Sequence, residues 1–208
     1  MTGAPQDIEL YVDITSAGAY LAFGRTCALV ERCGLIATWK PVIALKRAPA
    51  GQATGEESVS ERHKRVRQQY QDNEHRRYAD WLGLPMNTQR PAAEDQPLAA
   101  AILRVGVDHQ RAVPFLTSAY DAYWNGDGSA LDRAKVDALL SACGEALLTD
   151  DELVAAAADV ERTIEEDGIF DAPAYRIDGE RFIGRQHQPL IERIAREGAA
   201  SVIPPVST

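Results

Sequence analysis

The segment Gly168-Ile-Phe-Asp-Ala-Pro-Ala-Tyr-Arg-Ile-Asp-Gly-Glu-Arg-Phe-Ile-Gly184 constrains this chain more than any other stretch. Asp178-Gly179 separates two short β-prone runs, 174–177 and 180–183. A two-residue type I′ turn needs positive φ at both central positions, and Asp-Gly meets that need, so the segment predicts a tight hairpin. Pro173 stands directly before the first run. A proline has no N–H to give to a ladder, which confines it to the start of a strand. Pro173 either only starts that strand or is a cis-proline, and the Phe-Asp-Ala-Pro-Ala-Tyr setting favours cis.

The N-terminus supplies the complementary piece. Ile8–Val12 is apolar with one charge and reads as a buried strand. The residues from Asp13 onward run into a helix that stops near Cys33-Gly34, where glycine suits the C-terminal cap. The Ala-Pro-strand-turn-strand arrangement resembles the cis-proline end of a thioredoxin fold, where the peptide before the proline faces a thiol. In such oxidoreductases a Cys-Xaa-Xaa-Cys pair sits at the first strand-to-helix turn, its thiolate held by the helix N-terminus. Here Ser16 occupies that position, and Cys27, Cys33 and Cys143 lie within apolar helical patterns. This argues against dithiol exchange. A hydroxyl at a helix N-terminus can instead hydrogen-bond the thiolate of an external thiol and lower its pKa. Ser16 with Thr15 also fits a plain N-cap, and the two roles are compatible.

With these segments placed, the chain resembles the 2-hydroxychromene-2-carboxylate isomerases and the related kappa-class glutathione transferases. The resemblance rests on Asp13-Ile-Thr-Ser-Ala-Gly-Ala-Tyr-Leu-Ala22, on Arg67-Gln-Gln-Tyr70 with Glu74, Arg77 and Tyr78, and on Leu82-Gly-Leu-Pro-Met86 followed by Asn87-Thr88. It spans residues 8 to 196. It implies an α/β class, a thioredoxin-like fold of the DsbA type with a large α-helical insertion. The N-terminal part is 1–45, the helical insertion 46–167, the C-terminal part 168–198, and 199–208 is expected to be a mobile tail.

The resemblance also implies roles. Ser16 would donate a hydrogen bond to the sulfur of glutathione. The backbone of Ala172, before Pro173, would bind its cysteinyl part. Arg185 and Gln186 would meet its γ-glutamyl end, where the family carries a small polar residue and an aspartate. Glu56 and Arg67 would contact substrate, Arg67 replacing a lysine. Ala17 and Gly18 replace the family's Pro-Tyr. Gln186 offers a neutral acceptor where the family offers a charge, which weakens the grip on an ammonium by about ten- to hundredfold. Arg62, Lys64, Arg65 and Arg67 either line a carboxylate-binding mouth or form a solvated helix face. Tyr20, Phe23, Tyr78, Trp81, Tyr120, Tyr123 and Trp124 read as core or pocket lining rather than as a cofactor box.

Between these two ends the chain reads as helical: 59–82, then 96–125 interrupted near Gly106 and Pro114, then 129–143 and 150–167, with a last helix over 188–197. At 208 residues and 45% hydrophobic content the chain is long and apolar enough for a proper core. A net charge of −9 argues against nucleic acid as a partner. No apolar run approaches the roughly 20 residues that cross a bilayer, and no signal peptide is visible. Three cysteines without framework spacing suit a reducing, cytoplasmic compartment. The four histidines make no metal-ligand spacing, so no metal is expected. The expected activity is a glutathione-dependent isomerisation of a conjugated aromatic pyruvate by thiolate addition, bond rotation and elimination. The alternatives are a kappa-type glutathione transferase and a relative that has lost glutathione for another ligand. A small-molecule substrate and a homodimer are implied.

Overall fold

The computed structural model of the protein describes residues 6–43, 58–87 and 90–203. Strand β1 (Asp7–Val12) leads into helix α1 (Ala17–Cys33) and strand β2 (Ile36–Pro41). Five helices follow: α2 (Val59–Leu82), α3 (Asp95–Gly106), α4 (His109–Trp124), α5 (Arg133–Ala142) and α6 (Asp150–Glu165). Strands β3 (Ala174–Ile177) and β4 (Glu180–Ile183) form the hairpin. A 3-10 turn (Arg185–His187) then enters α7 (Gln188–Glu197), and α8 (Ala199–Val202) ends the described chain.

The four strands make one sheet in the order β2-β1-β3-β4. β1 and β2 are parallel, and β1–β3 and β3–β4 are antiparallel. The hairpin is tight for the reason expected: Asp178 and Gly179 have φ of 52° and 81°. The Ala172-Pro173 peptide is cis. Strand alternation puts Leu10 and its neighbour Tyr175 on one face and Glu9 with Arg176 on the other. The second face carries charge: Lys40 lies 2.7 Å from Glu9, and Arg176 bridges Glu9 and Asp167.

Helix ends follow their local chemistry. Ser58 and Thr149 form capping boxes with Glu61 and Glu152. Gly34 and Gly83 close α1 and α2 in the left-handed conformation. The helical stretch expected over 96–125 breaks after Gly106 as expected, and Asp108 caps α4 by accepting from the Gln110 N–H at 2.9 Å. Pro114 sits inside α4 without ending it. The helix expected from 129 begins at Arg133, where Asp132 accepts from the Lys135 N–H. The segment expected to be a mobile tail starts as α8: the Asp178 carboxylate accepts from the Ala199 N–H at 2.7 Å, and Ala199 is buried.

α1 packs against α2 and α7, while α3 packs against β2, α4 and α6. Where α1, β3 and α7 meet, three buried polar side chains form a chain of hydrogen bonds. The Thr26 hydroxyl donates to the Ala22 carbonyl at 3.0 Å. Its single proton is thereby used, so the Tyr175 hydroxyl is the donor in their 3.2 Å contact. Gln188 Nε2 then donates to Tyr175 at 2.9 Å and to Thr26 at 2.8 Å. This fixes which way the Gln188 amide points.

Candidate functional site

The turn between β1 and α1 is built by Asp13. Its carboxylate accepts from the Thr15 N–H at 2.7 Å and the Thr15 hydroxyl at 2.8 Å, an Asx turn that aims the chain into α1. Two aromatic side chains pin the same turn from α4. Trp124 Nε1 donates to the Ile14 carbonyl at 3.0 Å, and the Tyr120 hydroxyl donates to the Asp13 carbonyl at 3.4 Å. Tyr20 stacks on Trp124 with centroids 5.2 Å apart and donates to the Pro85 carbonyl. These aromatics are buried. They are core that holds the site in place.

Ser16 is the N-cap of α1, its oxygen accepting from the Ala19 N–H at 3.3 Å. Its hydroxyl donates to the Ala172 carbonyl at 2.9 Å. The structure therefore brings together Ser16, Ala172 and the cis Pro173 from opposite ends of the chain. Gly18 completes the group. A methyl built on it would lie 3.5 Å from both the Ala172 oxygen and Pro173 Cδ, so glycine leaves room for one more atom beside the serine. No cysteine shares this corner. Cys27 lies further along α1, where burial pushes its thiol up to about 11. Burial also raises the Cys143 thiol.

The residues expected at the γ-glutamyl end follow the hairpin. Gly184 follows β4, and its N–H donates to the Pro173 carbonyl at 2.7 Å, which sets Arg185 and Gln186 beside the cis-proline. Arg185 is already engaged: its guanidinium pairs with Glu74 at 3.1 Å and lies 3.8 Å over the Tyr78 ring. Gln186 is exposed and folds back, its Nε2 donating to the Ile183 carbonyl at 3.3 Å.

Arg67 is exposed on α2. Only Ala79 of α2 is buried, and Arg67 precedes it by three turns, about 18 Å along the helix axis. Glu56 lies outside the described residues. His75, on the same helix, went unassigned in the sequence. Burial lowers its pKa, and the Arg185 charge lowers it further.

A cavity of about 680 Å³ lies between α1, α2 and α7. Arg25, Leu29, Glu74, Arg185, Gln188 and Glu192 are among its walls, and Ser16 is not. A smaller cavity of about 30 Å³ beside it shares Arg25, Tyr78, Arg185 and Gln188 and reaches Leu21 and Ala22. Nothing in the sequence marks Arg25 or Gln188, because they lie on different helices far apart in the chain. Among the described residues no group of three or more His, Cys, Asp or Glu is placed to hold a metal. No described helix is long and apolar enough to cross a membrane.

No protein-family model and no curated protein matches this chain. Solved structures do. A 2-hydroxychromene-2-carboxylate isomerase superposes with a TM-score of 0.68 at 22% identity, covering 93% of this chain and 98% of its own. The fold is the DsbA-like thioredoxin fold. A probable DsbA oxidoreductase of Streptomyces coelicolor matches at TM-score 0.61 and 17% identity, over 98% of this chain and 94% of its own. The cytosolic disulfide reductase DsbM of Pseudomonas aeruginosa, solved with GSH, matches at 0.59 and 17%, over 91% of this chain and 99% of its own. These neighbours include an isomerase of the kind the sequence resembles, and oxidoreductases that share the DsbA-like fold.

Proposed function

We propose that this chain is an enzyme that uses glutathione as a catalytic thiol, with Ser16 holding the thiolate, to isomerise a conjugated aromatic pyruvate. The observation that carries this reading is the Ser16 hydroxyl, capping α1 and 2.9 Å from the carbonyl of the residue before a cis-proline. A thiolate lodged there would meet the positive end of α1 and its free N–H groups. The Ser16 proton would turn from the Ala172 carbonyl to the sulfur, a charge-assisted bond stronger than the neutral one it replaces. Cys27, with its raised thiol, is a poor nucleophile at neutral pH and supports an external thiol over an internal pair.

In the reaction the thiolate adds to the substrate double bond. A C–S bond forms, and the electron pair moves into the conjugated carbonyl as an enolate. The former double bond is now single and rotates. The enolate collapses, the C–S bond breaks, and the thiolate is regenerated. Transfer of glutathione onto an electrophile is the outcome when elimination does not follow. Arg67 is proposed to bind the substrate carboxylate, and Arg67→Ala then raises KM while leaving kcat. The implied homodimer has a candidate surface in exposed Val59, Val66, Tyr70 and Trp81 on α2.

A second reading, loss of glutathione in favour of another ligand, is favoured by the engagement of Arg185 with Glu74 and by the folding back of Gln186. Calorimetric titration of reduced glutathione into the protein and into Ser16→Ala separates the two. Micromolar to low-millimolar binding that weakens in the variant supports the thiol enzyme. No binding up to about ten millimolar, a contribution below roughly 3 kcal/mol, sinks it.

A further inference from the structure

Both backbone groups of Ala172, the residue before the cis-proline, are taken by side chains. The Ser16 hydroxyl donates to its carbonyl at 2.9 Å, and its N–H donates to Asp171 Oδ1 at 2.9 Å. The two contacts differ in kind. Ser16 caps α1 and reaches Ala172 from the other end of the chain. Asp171 bends back onto the very next residue, and it is exposed whereas Ala172 is buried. Pro173 has no N–H, and its carbonyl already accepts from the Gly184 N–H at 2.7 Å. Ala172 is therefore where an extended thiol peptide can pair with this corner. Antiparallel pairing exchanges two hydrogen bonds between facing residues, N–H to C=O in each direction.

A cysteinyl thiol seated at Ser16 offers its N–H to the Ala172 carbonyl and its own carbonyl oxygen to the Ala172 N–H. The first bond is open, because the Ser16 proton turns to the sulfur and a carbonyl oxygen has two lone pairs. The second is not. A carboxylate oxygen already stands on that N–H, and two acceptors brought to one donor repel each other. We propose that Asp171 sets the affinity of the thiol site, its carboxylate acting as an internal competitor that holds the Ala172 N–H until the thiol's main chain displaces it. The proposal rests on the thiol reading above. Because Asp171 is exposed, its side chain can swing into water, which satisfies the released carboxylate, so the contact is a reversible stopper and not a permanent block. Its charge adds a smaller effect of the same sign, since a thiolate at Ser16 would be an anion beside an anion. Competition acts at the cysteinyl main chain, so it weakens a thioether of the same backbone as much as the free thiol.

The test is calorimetry with two probes, reduced glutathione and S-methylglutathione, which keeps the main chain and cannot form a thiolate. Each is titrated into the wild-type protein, Asp171→Ala and Asp171→Asn. Alanine removes both the acceptor and the charge, whereas asparagine keeps an acceptor for the Ala172 N–H and removes only the charge. The expected result is that Asp171→Ala tightens both probes by about two- to tenfold, the worth of one net hydrogen bond. Asp171→Asn leaves S-methylglutathione within twofold of wild type. The competitor is overturned if Asp171→Ala changes either probe by less than twofold or weakens it, or if Asp171→Asn tightens S-methylglutathione as much as Asp171→Ala does. A second measurement needs no ligand. Amide hydrogen exchange by NMR should give Ala172 a lower protection factor in Asp171→Ala than in wild type, and equal protection overturns the contact itself. Absence of glutathione binding in all three proteins sinks the thiol enzyme together with the competitor. Binding that is equal in all three overturns the competitor alone.

Discussion

Tyr175→Phe removes one oxygen from the point where α1, β3 and α7 join, and the cost can be worked from the contacts. Tyr175 is 1% exposed, so no water replaces what is lost. In the wild-type chain Gln188 Nε2 gives one hydrogen to Tyr175 and one to Thr26, and Tyr175 donates to Thr26. Without the hydroxyl, Gln188 keeps Thr26, and its second hydrogen is left with only the long 3.3 Å contact to the Ala22 carbonyl. The ring itself stays, so no sizeable void opens. One lost net hydrogen bond and one poorly satisfied buried donor cost about 1–2 kcal/mol. For a chain of this length each kcal/mol lowers Tm by about 2–4 °C, so the shift is about 2–8 °C. Calorimetric melting of Tyr175→Phe, Thr26→Val and the double variant measures it. Because the two side chains share one network, the double variant should lose less than the two singles together, by about 0.5 kcal/mol or more. A Tyr175→Phe protein as stable as wild type, or strictly additive losses, would refute the directed chain of bonds, and with it the orientation of the Gln188 amide.

Three further outcomes follow from particular contacts. His109 accepts the Trp39 indole N–H on Nδ1 at 3.1 Å, and burial lowers its pKa below the usual histidine value. The unfolded chain therefore takes up the proton first, and stability should fall as pH drops below about 6.5; His109→Gln should flatten that fall, leaving the smaller part due to His75, whose shift has the same sign. Gly106 ends α3 against β2, and a Cβ there would run into the Trp39 carbonyl oxygen, so Gly106→Ala should lower stability by about 1–3 kcal/mol in denaturant unfolding. Cys27, its thiol pushed up to about 11 by burial, should resist alkylation by iodoacetamide at neutral pH in the folded protein and react on unfolding, as followed by mass spectrometry.

Local chemistry made much of this protein legible from its residues. Asp178-Gly179 dictates its hairpin because few other pairs take positive φ twice. Gly34, Gly83, Ser58 and Thr149 mark helix ends by satisfying backbone groups within a turn of themselves. Ser16 and Ala172 could be paired in advance because a thioredoxin-like order of strands leaves few places for a strand-starting proline to sit. Where a side chain goes once it leaves its own turn was decided by the tertiary structure. Arg185 reads in sequence as a free cation at a helix start, yet Glu74 and Tyr78 of another helix engage it with an ion pair and a ring face. Arg67 sits in a motif beside Tyr70, yet α2 buries only Ala79, far down the helix. Arg25 and Gln188 carry no motif at all. They line one cavity only because α1 and α7 pack side by side, with Tyr175 of the hairpin holding the Gln188 amide. Sequence by itself determined the elements, their ends and the serine at the cis-proline, because those depend on bonds within a few residues. Which charges remain free to bind a ligand depends on long-range partners, and only the packed chain chooses those.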